Sequence, residues 1–296
     1  MTDNNKLKIT IGIPSYKRPN YLLRAIKSLE SQTYKNFITL VSVNGSEYEN
    51  YEYKKLNFNY NSNINLIFQN KNIGSLDNHF YLLEKCQTKY FMWLADDDLL
   101  SPTCLENLLN LLENNNDAVT AVPNWELVNE NNNKKILTPS HFHQDNTLIR
   151  IINYCDISDD AFFHGLHKTI NLKKCTFSGF WRPNSNLITN WAYIYLFDLI
   201  IQGKIVFNKN TNAKWTNHDY GLKHYKKNNN SKIIRFLENI IKRFNINFIY
   251  LSKIIKWKKI HYLPIIIPIL LYFFIRDLIL NNILIGQKIY KKINFK

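Results

Sequence analysis

Cysteine is scarce in this 296-residue chain, and the four present (Cys86, Cys104, Cys155 and Cys175) show no C-x-x-C spacing. That argues against a disulfide scaffold and leaves reduced, mostly buried thiols, the usage expected of a cytosolic protein. Met1 to Lys8 lacks the apolar core of a secretory leader, so none is expected there. Internal repeats are absent. Low complexity is confined to asparagine runs at 114–116, 131–133 and 228–230, which read as loops. Acid is the most unevenly missing class. Residues 223–296 hold 2 Asp+Glu against 16 Lys+Arg, whereas residues 1–222 hold 21 against 22. The net charge of +15 therefore sits almost wholly in the last quarter.

What is present is the composition of a folded protein, 45% hydrophobic and 14% aromatic, with length enough for a substantial core. The densest signal is Phe91-Met92-Trp93-Leu94-Ala95-Asp96-Asp97-Asp98-Leu99-Leu100. An apolar strand that ends in three carboxylates concentrates negative charge, and mutual repulsion makes that costly without a cation. Hard oxygen ligands of this kind suit Mg²⁺ or Mn²⁺, which bridge to substrate phosphates. The competing reading is an acidic turn before the helix start at Ser101-Pro102.

Periodicity sets the frame. Leu7–Ile13, Phe37–Val43, Ile64–Phe68, Tyr90–Leu94 and Ala118–Val122 read as strands. Helical spacing follows Pro19 up to Gln32, recurs at 76, 80, 83 and 86, and again at Leu105, Leu108, Leu109 and Leu112. Strand and helix alternate, which predicts an α/β fold with a mostly parallel sheet and helices on both faces. Ligands in such sheets sit beyond the carboxyl ends of the strands. The loop 14–18, the turn at Asn44-Gly45-Ser46 and the acid trio all fall there, so one site built from three segments is expected. Further on, Ala161–His167 reads as a strand, Ile188–Gln202 as a helix and Lys204–Asn208 as a strand.

These segments resemble family 2 glycosyltransferases of the GT-A fold. The likeness runs through Ile11-Gly12-Ile13-Pro14-Ser15-Tyr16-Lys17-Arg18-Pro19, the Gln32–Phe37 segment, Asn72-Ile73-Gly74 with Asn78, and Tyr90–Asp98. It covers residues 7–125 strongly and 160–215 weakly. The resemblance implies transfer of a sugar from a nucleoside diphosphate sugar, UDP-linked by preference, to an acceptor hydroxyl, with inversion and with Mn²⁺ or Mg²⁺. It also implies roles. Asp97 would reach the metal and diphosphate, with Asp98 in support, and Asp96 would lie near the donor ribose. Pro14, Ser15, Tyr16 and Arg18 would wrap the nucleotide, with Asn44, Gly74 and Asn78 also on the donor side.

Two departures from the family pattern stand out. Val43-Asn44 replaces the carboxylate pair that commonly precedes the turn, which leaves the base unassigned. Asn190, before Trp191, stands where the family's aspartate general base opens a helix, and an amide cannot take a proton. Asp159 and Asp160, ahead of Phe162-Phe163-His164-Gly165, are the replacement candidates, with Asp198 as a third. His164, Asn190, Trp191 and His218 are the weaker candidates on the acceptor or diphosphate side.

The basic tail divides the chain at about residue 221, into a GT-A domain (1–221) and a helical region (222–296). Apolar residues at 234, 237, 241, 244, 248, 251 and 255 mark one helical stripe among lysines and arginines. The apolar run Leu263–Ile275 follows. At 13 residues it falls short of the ~20 that a bilayer span needs. A monotopic attachment to an anionic membrane surface is expected, and a bundle packed on the domain is the competing reading. Nucleic acid ranks a distant third, since no nucleic-acid motif accompanies the charge. The whole predicts a peripheral enzyme on the cytoplasmic face of a bacterial inner membrane, acting on a lipid-linked glycan in surface polysaccharide or lipooligosaccharide assembly. A non-catalytic nucleotide-sugar or glycan-binding scaffold at the membrane is the alternative.

Overall fold

A computed structural model of the chain describes residues 7–46, 48, 50–56, 63–128, 134–137, 142–157, 161–176, 191–216 and 232–293. Its first half is the alternation expected. Strand β1 (Ile9–Ser15) leads through helix α1 (Pro19–Glu30) to β2 (Phe37–Val43). The one-turn helix α2 (Tyr51–Lys54) precedes β3 (Ile64–Phe68), and α3 (Ser75–Lys85) returns the chain to β4 (Tyr90–Trp93). These four strands lie parallel in the order 3-2-1-4.

The period-two rule places their side chains on two faces. Ile9, Ile11, Ile13, Tyr90 and Met92 pack on α1, while Phe91 and Trp93 pack on the α3 side. Gly12 is required by that second face. A methyl group there would come within 2.7 Å of the Phe91 ring and 3.1 Å of Leu82.

The acid loop leads into the two-residue strand β5 (Leu99–Leu100) and helix α4 (Cys104–Glu113). After these come β6 (Ala118–Val128), β7 (Lys134–Leu137), α5 (Thr147–Ile157), a 3-10 turn (Ala161–His164), β8 (Leu166–Lys168), α6 (Thr169–Leu172), α7 (Trp191–Gln202) and β9 (Lys204–Thr216). The sheet continues 4-8-6-9-5, with β7 pairing β6. Strands β5, β7 and β8 run against the rest, so the sheet is mixed but mostly parallel.

Four elements differ from expectation or went unread. Ala161–His167 is a 3-10 turn followed by a three-residue strand, because the chain must turn at Gly165 to enter the sheet antiparallel. At Gly165 a Cβ would meet the Ala121 carbonyl at 2.8 Å. Strands β5 and β7 are too short to show periodicity. Helix α5 carries its buried face at Arg150, Ile151, Tyr154 and Cys155, with an arginine where an apolar residue would have marked it.

The tail forms α8 (Lys232–Lys256), a 3-10 turn (Ile260–Tyr262) and α9 (Leu263–Ile293). Both helices pack on the domain. Tyr250 stacks on Phe197 of α7 at 4.2 Å, and Ile254, Ile266, Leu270 and Phe273 join the same core as Tyr154. Arg276 reaches Asp156 at the end of α5. Of the stripe read from the sequence, Leu251 packs against the core, and the side chains at 234 and 237 lie outside the described residues. Ile241, Phe244, Phe248 and Ile255 of that stripe stay exposed, and Ile249, Tyr250, Lys253 and Ile254 turn inward. The apolar run of 13 residues is also extended. Helix continues through Arg276 and Asp277, which pair with each other, and Ile260–Ile279 has the length and composition to cross a bilayer, with 17% of it buried.

Candidate donor site

The carboxyl ends of β1, β2 and β4 do converge. The Asn44 N–H donates to the Ser15 carbonyl at 2.8 Å, which ties the first two strand ends together. From β4, an aromatic cluster fixes the base of the acid loop. Trp93 stacks on Phe163 at 4.4 Å, meets Phe91 edge-on at 4.9 Å, and donates its indole N–H to the His79 carbonyl at 2.9 Å. From that anchored strand end the chain makes a tight turn, closed by the Asp98 N–H to the Ala95 carbonyl at 3.1 Å. Strand β5 then takes Leu99 and Leu100 away into pairing with β9.

Asp96 is wholly buried beneath this turn. Its Oδ2 accepts the Ser15 hydroxyl at 2.6 Å, and the Tyr53 hydroxyl lies 2.7 Å from Ser15 Oγ. With the Ser15 proton given to Asp96, the Tyr53 O–H donates to Ser15 and its oxygen accepts the Arg18 N–H at 2.9 Å. The Arg18 guanidinium then closes the ring. Its Nη2 lies 2.9 Å from Asp96 Oδ1 and its Nη1 2.7 Å from Asp97 Oδ2. The first contact is ionic only, because Asp96 Oδ1 has no hydrogen-bond partner in acceptable geometry.

Burial pushes the Asp96 carboxyl up to about 6, against the opposing pull of Arg18 and Ser15. The Tyr53 hydroxyl is raised for the same reason, burial. The loop that presents Arg18 carries Lys17 at φ +54°, a left-handed conformation that costs a non-glycine residue roughly 1–2 kcal/mol.

The other donor-side residues act one step back. Asn44 accepts the Ile73 N–H at 2.8 Å and donates to the Gly74 carbonyl at 3.2 Å. It holds the 72–74 loop rather than turning its amide to the cleft. Asn78 exchanges hydrogen bonds with Ser42, 2.6 Å from its hydroxyl and 3.1 Å to its carbonyl, and fixes α3 on β2. Gly74, at φ +87°, starts α3 with open space where a Cβ would go. Tyr16 is exposed beside the loop, Pro14 is half-buried, and Asp98 is buried.

On the acceptor side, His164 is half-buried and its Nδ1–H donates to the Trp93 carbonyl at 3.3 Å, with Trp125 edge-on at 5.9 Å. Asp198 does not reach the site. It is wholly buried between α7 and α8, held by Lys253 Nζ at 2.6 Å, the Trp257 indole N–H at 2.8 Å and the Thr176 N–H at 2.9 Å. That removes it as a base. Asp159, Asp160, Asn190 and His218 lie outside the described residues, and Trp191 is the first residue of α7.

Tyr53 is the site residue that sequence reasoning missed. It sits in a one-turn helix too short for any periodic signal. A polar cleft of about 240 Å³ lies at the opposite pole, at the amino ends of β6 and β9. Its charges are already satisfied, Lys204 by Asp117 and Asp145.

Among the described residues no three His, Cys, Asp or Glu side chains converge as a metal cage. The donor set still suits a hard dication. Two carboxylates share one countercation and a third is next in sequence, hard oxygen donors of the kind that suit Mg²⁺ and Mn²⁺ on phosphates. Asp97 and Asp98 would hold the ion.

Residues 10–169 match the glycosyl transferase family 2 domain. The chain belongs to that family. An uncharacterized glycosyltransferase of Rickettsia conorii is 33% identical over 129 residues, 42% of this chain and 20% of that protein. One of Rickettsia typhi is 32% identical over 124 residues, 41% of this chain and 37% of that protein. The matched part thus spans a fifth to somewhat over a third of these relatives. Among solved structures, S. aureus TarS 1-349 in complex with UDP-GlcNAc superposes with TM-score 0.55 at 13% identity, over 82% of this chain and 70% of that one. The mannosyltransferase PcManGT of Pyrobaculum calidifontis, in complex with GDP-Man and Mn²⁺, gives 0.53 at 8%, over 81% and 64%. At such identities they establish the GT-A fold of this family 2 chain and nothing finer.

Proposed function

We propose that this family 2 chain transfers a sugar from a nucleoside diphosphate sugar to a lipid-linked glycan at an anionic membrane, with inversion. The observation that carries the donor half is the Ser15–Asp96–Arg18–Asp97 ring at the joined ends of β1 and β4. Buried Asp96 Oδ1 makes no well-aligned hydrogen bond with Arg18 beside it, and a ribose hydroxyl would supply one. The complexes of the TarS and PcManGT relatives with UDP-GlcNAc and GDP-Man support a nucleotide-sugar donor, and UDP is favoured.

When bound, Mn²⁺ or Mg²⁺ supplies charge neutralisation for the departing diphosphate. The C1–diphosphate bond breaks, the acceptor oxygen bonds to C1, and its proton goes to a general base. Asp159 or Asp160 is that base in this reading, since Asp198 is engaged by Lys253 and Asn190 has no basic atom.

Exposed apolar residues support the membrane half. Phe244, Phe248 and Ile255 of α8, with Ile265, Ile267, Leu271, Tyr272, Ile275 and Ile279 of α9, leave an apolar surface open beside a strongly basic segment. The inward residues Ile266, Leu270 and Phe273 keep α9 on the domain, which favours a helix lying in the interface over one that crosses. In this reading the protein works peripherally on the cytoplasmic face of a bacterial inner membrane, in surface polysaccharide or lipooligosaccharide assembly.

The test is release of UDP from a UDP-sugar by the full chain, with Mn²⁺ and a lipid-linked acceptor, alongside sedimentation with anionic and zwitterionic vesicles. Turnover that needs both metal and acceptor is expected, with binding to the anionic vesicles alone. Nucleotide-sugar binding without turnover for any acceptor would favour the scaffold reading that Asn190 keeps open.

A further inference from the structure

Arg18 touches both members of the Asp96–Asp97 pair. Its fork spans them from the open side, since its side chain is 42% exposed against 0% for Asp96 and 17% for Asp97. The cationic end therefore stands where a dication bound to Asp97 would stand, and both cannot have the same carboxylate oxygens. Its presentation is built in. The Arg18 backbone N–H is pinned to the buried Tyr53 hydroxyl, and the preceding Lys17 is held left-handed. The match to Asp96 is nonetheless imperfect, with Oδ1 buried, close to Nη2 and outside hydrogen-bond geometry.

We infer that Arg18 is a resident countercation for the Asp96–Asp97 pair, displaced when a divalent metal arrives with the donor diphosphate. The freed guanidinium turns to the incoming phosphate oxygens, for which a planar fork of N–H donors is well shaped. This rests on the donor-site reading above and adds an order to it. Metal alone has to compete with Arg18, whereas a metal–nucleotide complex brings Arg18 a new anion as it takes the old one. Metal and nucleotide are then positively coupled, and the coupling is reciprocal.

The test is Mn²⁺ titration of the full chain, followed by the paramagnetic signal of the free ion, without nucleotide and with saturating UDP. Wild type is expected to bind Mn²⁺ at least tenfold more tightly with UDP. Arg18→Ala is expected to bind Mn²⁺ alone at least tenfold more tightly than wild type, and to lose most of the UDP effect. Arg18→Lys, which keeps a charge near buried Asp96 but cannot fork across two carboxylates, should fall between and serves if the alanine variant fails to fold. Unchanged or weaker nucleotide-free Mn²⁺ affinity in a folded Arg18 variant would overturn the inference while leaving the donor site standing. Failure of every form to bind Mn²⁺ even with UDP would remove the metal reading itself.

Discussion

Two of the aspartate–cation clusters among the described residues have the same chemistry in opposite settings. At the donor end, Arg18 lies across Asp96 and Asp97 with nearly half of its side chain in water. Between α7 and α8, Lys253 meets Asp198 with 1% and 0% of the side chains exposed. The cation of the first can leave without opening the core. The second cannot be parted without unfolding the joint that fixes the tail to the domain. Burial of the cation, more than the identity of the carboxylate, separates a site from a structural bolt.

That contrast can be broken, beginning where the effect is largest. Lys253→Ala strands Asp198 in a dry interface, and loss of one partner of a buried pair costs about 3–5 kcal/mol. Urea unfolding of the full chain should show it, and a loss under 1 kcal/mol would mean that the joint is wet. Asp97→Asn should reverse the pattern. Its metal-dependent kcat/KM is expected to fall at least 100-fold, about 2.7 kcal/mol of transition-state stabilisation. Its unfolding midpoint should stay near that of wild type, so activity that survives would remove Asp97 from the metal role.

A third probe reads the core between the two clusters. His167 is fully buried, with Nε2–H donated to the Phe163 carbonyl at 3.0 Å and Nδ1 2.9 Å from the Thr120 hydroxyl. Burial lowers it to about 4. A histidine depressed in the fold contributes stability that is complete above its unfolded value of about 6.5 and is lost as pH falls toward 4. Between pH 7 and pH 5 the loss from His167 should be about 2 kcal/mol, and because burial lowers His79 to about 4 as well, His167→Gln should make the fall in Tm shallower without abolishing it. The smallest effect on the donor site is expected of Gly74→Ala. There is room for the methyl, so the cost is conformational alone, about 1–3 kcal/mol at φ +87° and ψ 163°, a region nearly confined to glycine. A UDP thermal-shift titration should weaken modestly, and no change would mean that the 72–74 loop lies outside the donor cleft.

The acid trio, the Pro14–Pro19 loop and the β1-α-β2 frame were legible because each is local. Period-two strands, a proline at a helix start and three adjacent carboxylates carry their meaning in a few residues. Tyr53 was not legible, since a four-residue helix among asparagines shows no period and its hydroxyl matters only through contacts 35 and 38 residues away. The paired role that a mid-helix aspartate suggests holds for Asp198, but its partner was not legible for the same reason, lying 55 residues on. The stripe on α8 was read correctly as apolar, but which of its faces meets the domain depends on Phe197 and Asp198, which the helix itself does not contain.

The order of residues along the chain thus determined the element sequence, the alternating strand faces and the carboxylates gathered at one sheet edge, because side-chain period and turn chemistry act over a handful of bonds. Tertiary structure alone decided which cation each aspartate holds, which tail face stays open and how wet each ion pair is. Those depend on what packs from far along the chain, and electrostatic strength follows the water that such packing admits or excludes.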